Sequence, residues 1–198
     1  ETGDLNTARG YGASSEGRSA TAGLAISGYN GSNIDNVESF NGSAWTEIAE
    51  VNTAKFYRGN CGTATAGLLF GGNIGPSGST TANTQTFDGT SFSEVSDLNT
   101  SRSGLGGAGT YTSALGFAGE KSPGRANETE TWNGSSWTEV NNLNQGRRNF
   151  DGTGTQTAGL VAGGWIDASP ARAAGETELF NGTSWTESGD LGTARYNS

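Results

Sequence analysis

The chain has 198 residues, of which 34 are glycine and 3 are proline, so it predicts many turns between short strands rather than long helices. Its 20 acidic and 11 basic residues give a net charge of −9, which disfavours nucleic acid and anionic membranes as partners. With no histidine and Cys61 alone, the chain has neither an intrachain disulfide nor a zinc site of the usual Cys/His kind.

A repeat of 45 to 48 residues runs through the sequence. It begins at Leu5, Val51, Leu98 and Leu143, and a partial fifth copy begins at Leu191. This period is typical of a four-stranded propeller blade, above the ~40 to 45 residues of WD40 and below the ~50 of kelch. We therefore predict an all-β fold, a single β-propeller domain over residues 4–198 with four blades of four antiparallel strands. The repeats cover about 5–50, 51–97, 98–142 and 143–190, with the partial fifth at 191–198; residues 1–3 look like a remnant of a secretion vector.

The first two segments of each repeat predict an inner pair of strands. The first is rich in glycine, as in residues 103–112, and we place it innermost because strands that converge on a propeller axis need small side chains. The second is a short apolar run that suits a strand covered on both faces. It recurs at 23–26, 67–70, 114–117 and 159–162, each time followed by glycine or a small residue and glycine.

The third and fourth segments predict a hairpin around Asn-Gly or Asp-Gly, a strong hairpin signal. Two registers are open. A two-residue turn pairs Glu38 with Trp45, whereas a four-residue loop pairs Phe40 with Trp45. The second register also sets Glu38 opposite Glu47, where like charges cost some stability. The aromatic residues on both sides of the turn recur, which predicts core between blades: Phe40, Trp45, Phe87, Phe92, Trp132, Trp137, Phe180 and Trp185.

The connection to the next blade carries a basic residue four positions after an apolar one. This regularity predicts a scaffold role for Arg9, Lys55, Arg102, Arg147 and Arg195. Glutamates recur as well, at Glu38, Glu130 and Glu178 before the turn. A glycosidase needs a pair of carboxylates in two different environments. Here the glutamates before the turn and those after it recur together in three repeats, so we predict structural roles for them and no catalytic residue.

The links between second and third strands differ in length and composition, so any specificity is expected there. Tyr29, Asn73, Glu120 and Trp165 open these four loops at equivalent positions. We take them as candidate ligand-binding residues, with an aromatic platform for a sugar ring as one interpretation and loop packing as the other. No calcium-loop spacing is present, so we predict no metal site and no cofactor; an ion on the propeller axis stays open.

The order of an apolar strand, Gly-Gly, an aromatic, a Trp and an apolar-x-x-x-Arg connection resembles the kelch repeat. The sequence TAGLVAGG…ETELFNGTSWTE also resembles kelch-like arrays of marine bacteriophages, chiefly cyanophages. The resemblance implies a propeller fold and an extracellular or virion-associated setting, such as a tail appendage. The copper oxidases of the kelch type need histidine ligands, which this chain lacks.

From these observations we predict a non-enzymatic structural or interaction module that displays variable loops. The alternatives are a lectin-like adhesin that binds host-surface glycans and, third, a glycoside hydrolase. The expected partner is a protein or a glycan. We expect a monomer, with a dimer of two half-propellers as the alternative.

Overall fold

The computed structural model describes residues 3–14, 21–75, 79–167 and 172–196, which form strands and turns and no helix. The all-β prediction is therefore confirmed. Four antiparallel four-stranded sheets, called sheets 1 to 4 below, follow one another along the chain. Among these described residues no helix is long and apolar enough to cross a membrane.

Each repeat supplies one sheet. Sheet 1 contains β1 (Ala13–Ser14), β2 (Gly23–Tyr29), β3 (Asn33–Phe40) and β4 (Trp45–Glu50). Sheet 2 contains β5 (Gly59–Thr63), β6 (Ala66–Phe70), β7 (Thr84–Phe87) and β8 (Phe92–Val95). Sheet 3 contains β9 (Gly106–Thr110), β10 (Ser113–Phe117), β11 (Thr129–Trp132) and β12 (Trp137–Val140).

The fourth repeat adds a small extra sheet. The strands of this repeat are β13 (Arg147–Arg148), β14 (Asp151–Thr155), β15 (Ala158–Ala162), β16 (Trp165–Ile166), β17 (Arg172–Ala173), β18 (Thr177–Phe180) and β19 (Trp185–Glu187). Sheet 4 has the order β14-β15-β18-β19, and β13, β16 and β17 form the extra sheet.

The outer hairpin adopts the four-residue loop. Phe40 lies opposite Trp45 and Glu38 opposite Glu47, so the two-residue turn is wrong. The side chain of Asn41 holds this loop, because its Oδ1 accepts hydrogen bonds from the amides of Ser43 and Ala44, both at 3.0 Å. Asx side chains favour such turns for this reason. The equivalent residues Asp88, Asn133 and Asn181 accept the same pair of amide bonds.

The glycine-rich first strands of neighbouring sheets lie side by side. β5 packs against β1 and β9, and β9 packs against β14. The approach is close, because a Cβ at Gly107 of β9 would collide with the Asn60 carbonyl oxygen of β5. Only glycine permits two backbones to meet in this way.

The hydrophobic core fills the spaces between successive sheets, in one cluster for each neighbouring pair. Phe70 of sheet 2 meets Trp137 of sheet 3 with ring centroids 4.7 Å apart. Phe117 of sheet 3 meets Trp185 of sheet 4 at 5.2 Å. The predicted aromatic positions of sheets 2 to 4 therefore lie between sheets and are at most 8% exposed. Phe40 and Trp45 of sheet 1 are half-buried and belong to none of these clusters.

A hydrogen bond accompanies two of these aromatic contacts. Trp137 Nε1 donates to Thr84 Oγ1 at 3.1 Å, and Trp185 Nε1 donates to Thr129 Oγ1 at 2.9 Å. Between sheets 1 and 2, Val37 stands at the Thr position and Phe92 at the Trp position, within one core cluster. Donor and acceptor are thus present together or absent together.

This pairing predicts a compensation. Trp185→Phe leaves Thr129 Oγ1 buried without its donor and is expected to cost ~1 to 3 kcal/mol of unfolding free energy. Adding Thr129→Val recreates the Val/Phe pair of the first interface and should recover at least half of that loss. Urea denaturation of the two single variants and the double variant measures this coupling. A double variant no more stable than Trp185→Phe would contradict the explanation.

Candidate functional site

The recurring basic residues and glutamates form buried ion pairs. Arg102 Nη2 lies 2.8 Å from Glu130 Oε1, and both side chains are at most 1% exposed. Arg102 also donates to the carbonyl oxygens of Ala118 and Glu128, while the Asn99 amide donates to the other carboxylate oxygen at 2.7 Å. The pair therefore fastens the connection before sheet 3 to its third strand. Repeats 1 and 4 contain the same pair as Arg9 with Glu38 and Arg147 with Glu178.

The connection before sheet 1 acts on the pKa of the Glu38 carboxylate. Burial alone raises its pKa, but the backbone amides of Asn6 and Thr7 together with Arg9 bring the pKa below the ordinary value. The side chain is therefore a fixed anion with its oxygens engaged. Such a group lacks a free proton or lone pair at the surface for acid–base chemistry.

Repeat 2 departs from this pattern. Lys55 replaces the arginine and Gln85 the glutamate, and Lys55 Nζ donates to the side-chain and main-chain oxygens of Asn83. Burial and the nearby Arg58 lower the pKa of Lys55 to about 7, although Glu94 and Asp97 act in the opposite direction. This sheet thus carries a buried cation without a carboxylate bonded to it.

The four loop candidates occupy equivalent places, each paired with the residue that follows a repeat's basic residue. The pairs are Gly10 with Tyr29, Phe56 with Asn73, Ser103 with Glu120 and Arg148 with Trp165. They therefore lie at the same edge of their sheets. The strand pairing, rather than the loop, fixes the backbone of these residues.

The structure brings two of these candidates together. Asn73 and Glu120 line one cleft of about 300 Å³, with Thr80, Ser103 and Lys121. Asn73 Oδ1 accepts from the Gly75 amide at 3.2 Å, and Glu120 forms an ion pair with Arg148.

The two aromatic candidates pack against other rings in different repeats. Tyr29 lies 5.3 Å from Phe56, and Trp165 lies 4.9 Å from Tyr196. Both remain half-buried. These contacts match the loop-packing interpretation, while the ligand-binding role of the four residues stays a prediction.

A second pocket collects one segment from every repeat. It holds about 240 Å³, is called the four-repeat pocket below, and is lined by Tyr11, Gly12, Tyr57, Arg58, Gly104, Leu105, Asn149 and Phe150. The first residue of each segment has a left-handed backbone, with φ of 57°, 54°, 60° and 54°. Such values are uncommon for residues other than glycine. The same turn is therefore imposed on all four segments where they meet.

Hydrogen bonds and rings join these segments. The Tyr57 amide donates to the Tyr11 carbonyl oxygen at 3.2 Å, and the Gly104 amide donates to the Tyr57 carbonyl oxygen at 2.6 Å. The Tyr11 and Tyr57 rings lie 4.5 Å apart. Burial, followed by a hydrogen bond to Tyr11, raises the pKa of Tyr57, so its hydroxyl stays protonated at neutral pH.

Arg58 is the charged wall of the four-repeat pocket. It is 7% exposed, and its Nη2 donates to the Lys55 carbonyl oxygen at 2.7 Å. Its Nε and Nη1 are buried and have no hydrogen-bond partner among the described residues. Burial lowers the pKa of Arg58 to about 9, and no carboxylate contributes to that pKa.

Sequence reasoning missed Arg58, although a signal was present. The third residue after each basic residue is Gly12, Arg58, Leu105 and Phe150 in the four repeats. A charge at a position that is otherwise small or apolar marks an unrepeated function. The varying length of the links between strands is the more visible pattern in the sequence.

Metal-binding groups are absent from the described part of the chain, where no three His, Cys, Asp or Glu residues come together. Cys61 lies in the core between sheets 2 and 3, with Sγ 3.5 Å from the Thr110 carbonyl oxygen. That setting is one of small-residue packing.

The sequence matches no protein-family model, and no curated protein matches it.

Lys55 generates a pH prediction. Its pKa of about 7 in the folded protein is below the ~10.4 expected when unfolded. Between these values the unfolded chain binds more protons, so stability rises with pH from about 7 to ~10. Denaturation midpoints across this range should show the rise in the native protein and a flatter profile in Lys55→Met.

Lys121→Met removes one positive charge at a half-buried surface site and serves as the matched control for Lys55→Met. The control should keep the rise. An equal rise in Lys55→Met and in the native protein would show that Lys55 is not its source.

Proposed function

We propose that the four sheets are the blades of a kelch-like β-propeller. The support is the repeated strand order, the adjacent first strands and the pocket to which every repeat contributes. In a propeller, the innermost strands surround the axis and successive sheets pack face to face. The four-repeat pocket would then be one mouth of the axial channel.

The two terminal sheets carry faces that fit each other. Leu160 and Ala162 of sheet 4 are half-buried, whereas the equivalent Leu68, Phe70, Leu115 and Phe117 are fully buried against the next sheet. Thr177 stands where Thr84 and Thr129 accept a Trp hydrogen bond. Sheet 1 has the half-buried Trp45 at the position of the tryptophan donor. A Trp45–Thr177 hydrogen bond would therefore repeat the bond seen at the other two interfaces and place sheet 1 against sheet 4.

Arg195 bears on whether one chain closes by itself. Its amide, like those of Arg102 and Arg147, bonds to the preceding sheet's loop, but the side chain is exposed and forms no ion pair with the described residues. Glu38 of sheet 1 is already held by Arg9. The Arg195 segment would therefore compete with the Arg9 segment if sheet 1 followed sheet 4.

Trp45 separates closure within one chain from pairing of two chains. Trp45→Phe should cost ~1 to 3 kcal/mol of unfolding free energy if Trp45 bonds to Thr177, as expected for Trp185→Phe. Sedimentation equilibrium then gives the mass of the species: a monomer with this loss means a closed four-bladed ring, and a dimer means two half-propellers. No loss in Trp45→Phe would contradict both arrangements.

The function that the geometry supports best is a non-enzymatic structural or interaction module. The observation that supports it most is that buried arginines and backbone amides bind the carboxylates of the recurring glutamates. Because these groups hold the scaffold together, recognition would fall to the unrepeated residues at the loop edge and in the four-repeat pocket. The resemblance to marine bacteriophage arrays supports a virion-associated setting.

A lectin-like adhesin is the second candidate. The cleft of Asn73 and Glu120, with the hydroxyls of Thr80 and Ser103, offers amide, carboxylate and hydroxyl groups suited to sugar hydroxyls. The ion pair of Glu120 with Arg148 would hold the carboxylate at the cleft edge.

One pair of assays separates these functions. A glycan array probed with native protein and with Asn73→Ala should show binding lost in the variant if the cleft is a lectin site, with Trp165→Ala reporting on the separate aromatic loop. Chromogenic glycosides should show no turnover. Turnover abolished by a single Glu substitution would overturn the non-enzymatic proposal, while no glycan binding would remove the lectin candidate.

A further inference from the structure

We infer that the four-repeat pocket is an anion site in which Arg58 binds the carboxylate of an acidic sugar. The inference rests on the proposed non-enzymatic function, since it assigns recognition rather than turnover to the pocket. It places that recognition away from the loop cleft that the sequence indicates.

The first step is the unmet hydrogen-bonding capacity of Arg58. A guanidinium carries five N–H donors and keeps its charge in proteins. In this pocket the buried Nε and Nη1 have no partner among the described residues, and the main partner of Nη2 is the Lys55 carbonyl oxygen. A buried charge without a counter-ion is costly, whereas a bound carboxylate would satisfy both its charge and its donors.

The second step is that the fold does not need a charge at this place. The equivalent residues Gly12, Leu105 and Phe150 line the same pocket, and Leu105 is 6% exposed in the core. The neighbouring Lys55 is also buried and supplies no negative charge that would compensate Arg58. The arginine therefore opposes stability locally, as binding residues often do.

The third step concerns the body of the ligand. About 240 Å³ is below the ~300 to 1,000 Å³ of drug-sized sites, so the pocket suits one small ring. Tyr11, Tyr57 and Phe150 provide aromatic surface, and Asn149 provides an amide. Rings with a polar tip pack against the apolar face of a sugar and bond to its hydroxyls. The net charge of −9 disfavours extended polyanions and leaves a single carboxylated sugar as the better fit.

The test uses sodium glucuronate as the acidic sugar, glucose as its neutral counterpart, and acetate as the charge without the ring. Thermal unfolding and isothermal titration of the native protein should show stabilisation by glucuronate, as expected for a ligand of the folded state. Glucose and acetate should each bind at least about tenfold more weakly, because each lacks one half of the recognition.

Arg58→Leu introduces the residue that repeat 3 already has. We expect this variant to unfold at a higher temperature than the native protein without ligand, and to lose the glucuronate response. Arg58→Lys keeps the charge without the planar fork and should bind more weakly. Arg172→Leu removes an exposed, paired arginine and should leave binding unchanged.

Opposite outcomes would overturn the inference. If Arg58→Leu is less stable and glucuronate leaves native unfolding unchanged, Arg58 is structural. If acetate binds as tightly as glucuronate, or if an acidic peptide replaces it through Arg58, the ligand is not an acidic sugar. Glucuronate glycosides that bind and are also hydrolysed would keep the site but remove the non-enzymatic function, so the two failures are distinguishable.

Discussion

The buried pair of an arginine and a glutamate is the interaction that joins the preceding connection to sheets 1, 3 and 4. Arg102 and Glu130 lie 28 positions apart in the chain, yet they join the connection before sheet 3 to that sheet's third strand. Breaking such a pair by removing one partner costs ~3 to 5 kcal/mol, because the other charge stays buried. The Asn99 amide donates to the second carboxylate oxygen, and Arg102 Nη1 donates to two carbonyl oxygens, so the connection cannot leave its sheet without breaking several hydrogen bonds at once.

The pair also shapes the hairpin beyond it. Setting Glu38 opposite Glu47 would be unfavourable between two free carboxylates. In the structure Glu38 is neutralised by Arg9 on the buried side, while Glu47 is exposed and accepts a hydrogen bond from Asn36 at 3.2 Å. The ion pair therefore removes the expected repulsion between these two residues. The hydrogen bonds of the Asn41 side chain can then determine the four-residue loop.

These two observations mark the limit of prediction from sequence. Strand number, strand order and the glycine-rich first strands follow from the repeat itself, because local pattern determines them. The hairpin register could not be settled, since it depends on an ion pair formed with a residue 29 positions away. The role of Arg58 depends on the fold in a similar way: the repeat comparison marks its charge as unusual, but the four segments that surround it meet only in the folded chain.

The residue pairs at the interfaces between sheets affect which sheets can lie next to each other. A Trp in place of Phe92 would meet Val37 with its indole N–H unsatisfied, and a Phe in place of Trp137 would leave Thr84 without its donor. Either mismatch buries a polar group at a cost of ~1 to 3 kcal/mol. Near-identical sheets can exchange partners, so a repeat protein needs such penalties against wrong pairs. The change from Val/Phe to Thr/Trp thus distinguishes the interface between sheets 1 and 2 from the two interfaces that follow. The ion pair fastens the connections of repeats 1, 3 and 4 in the same way.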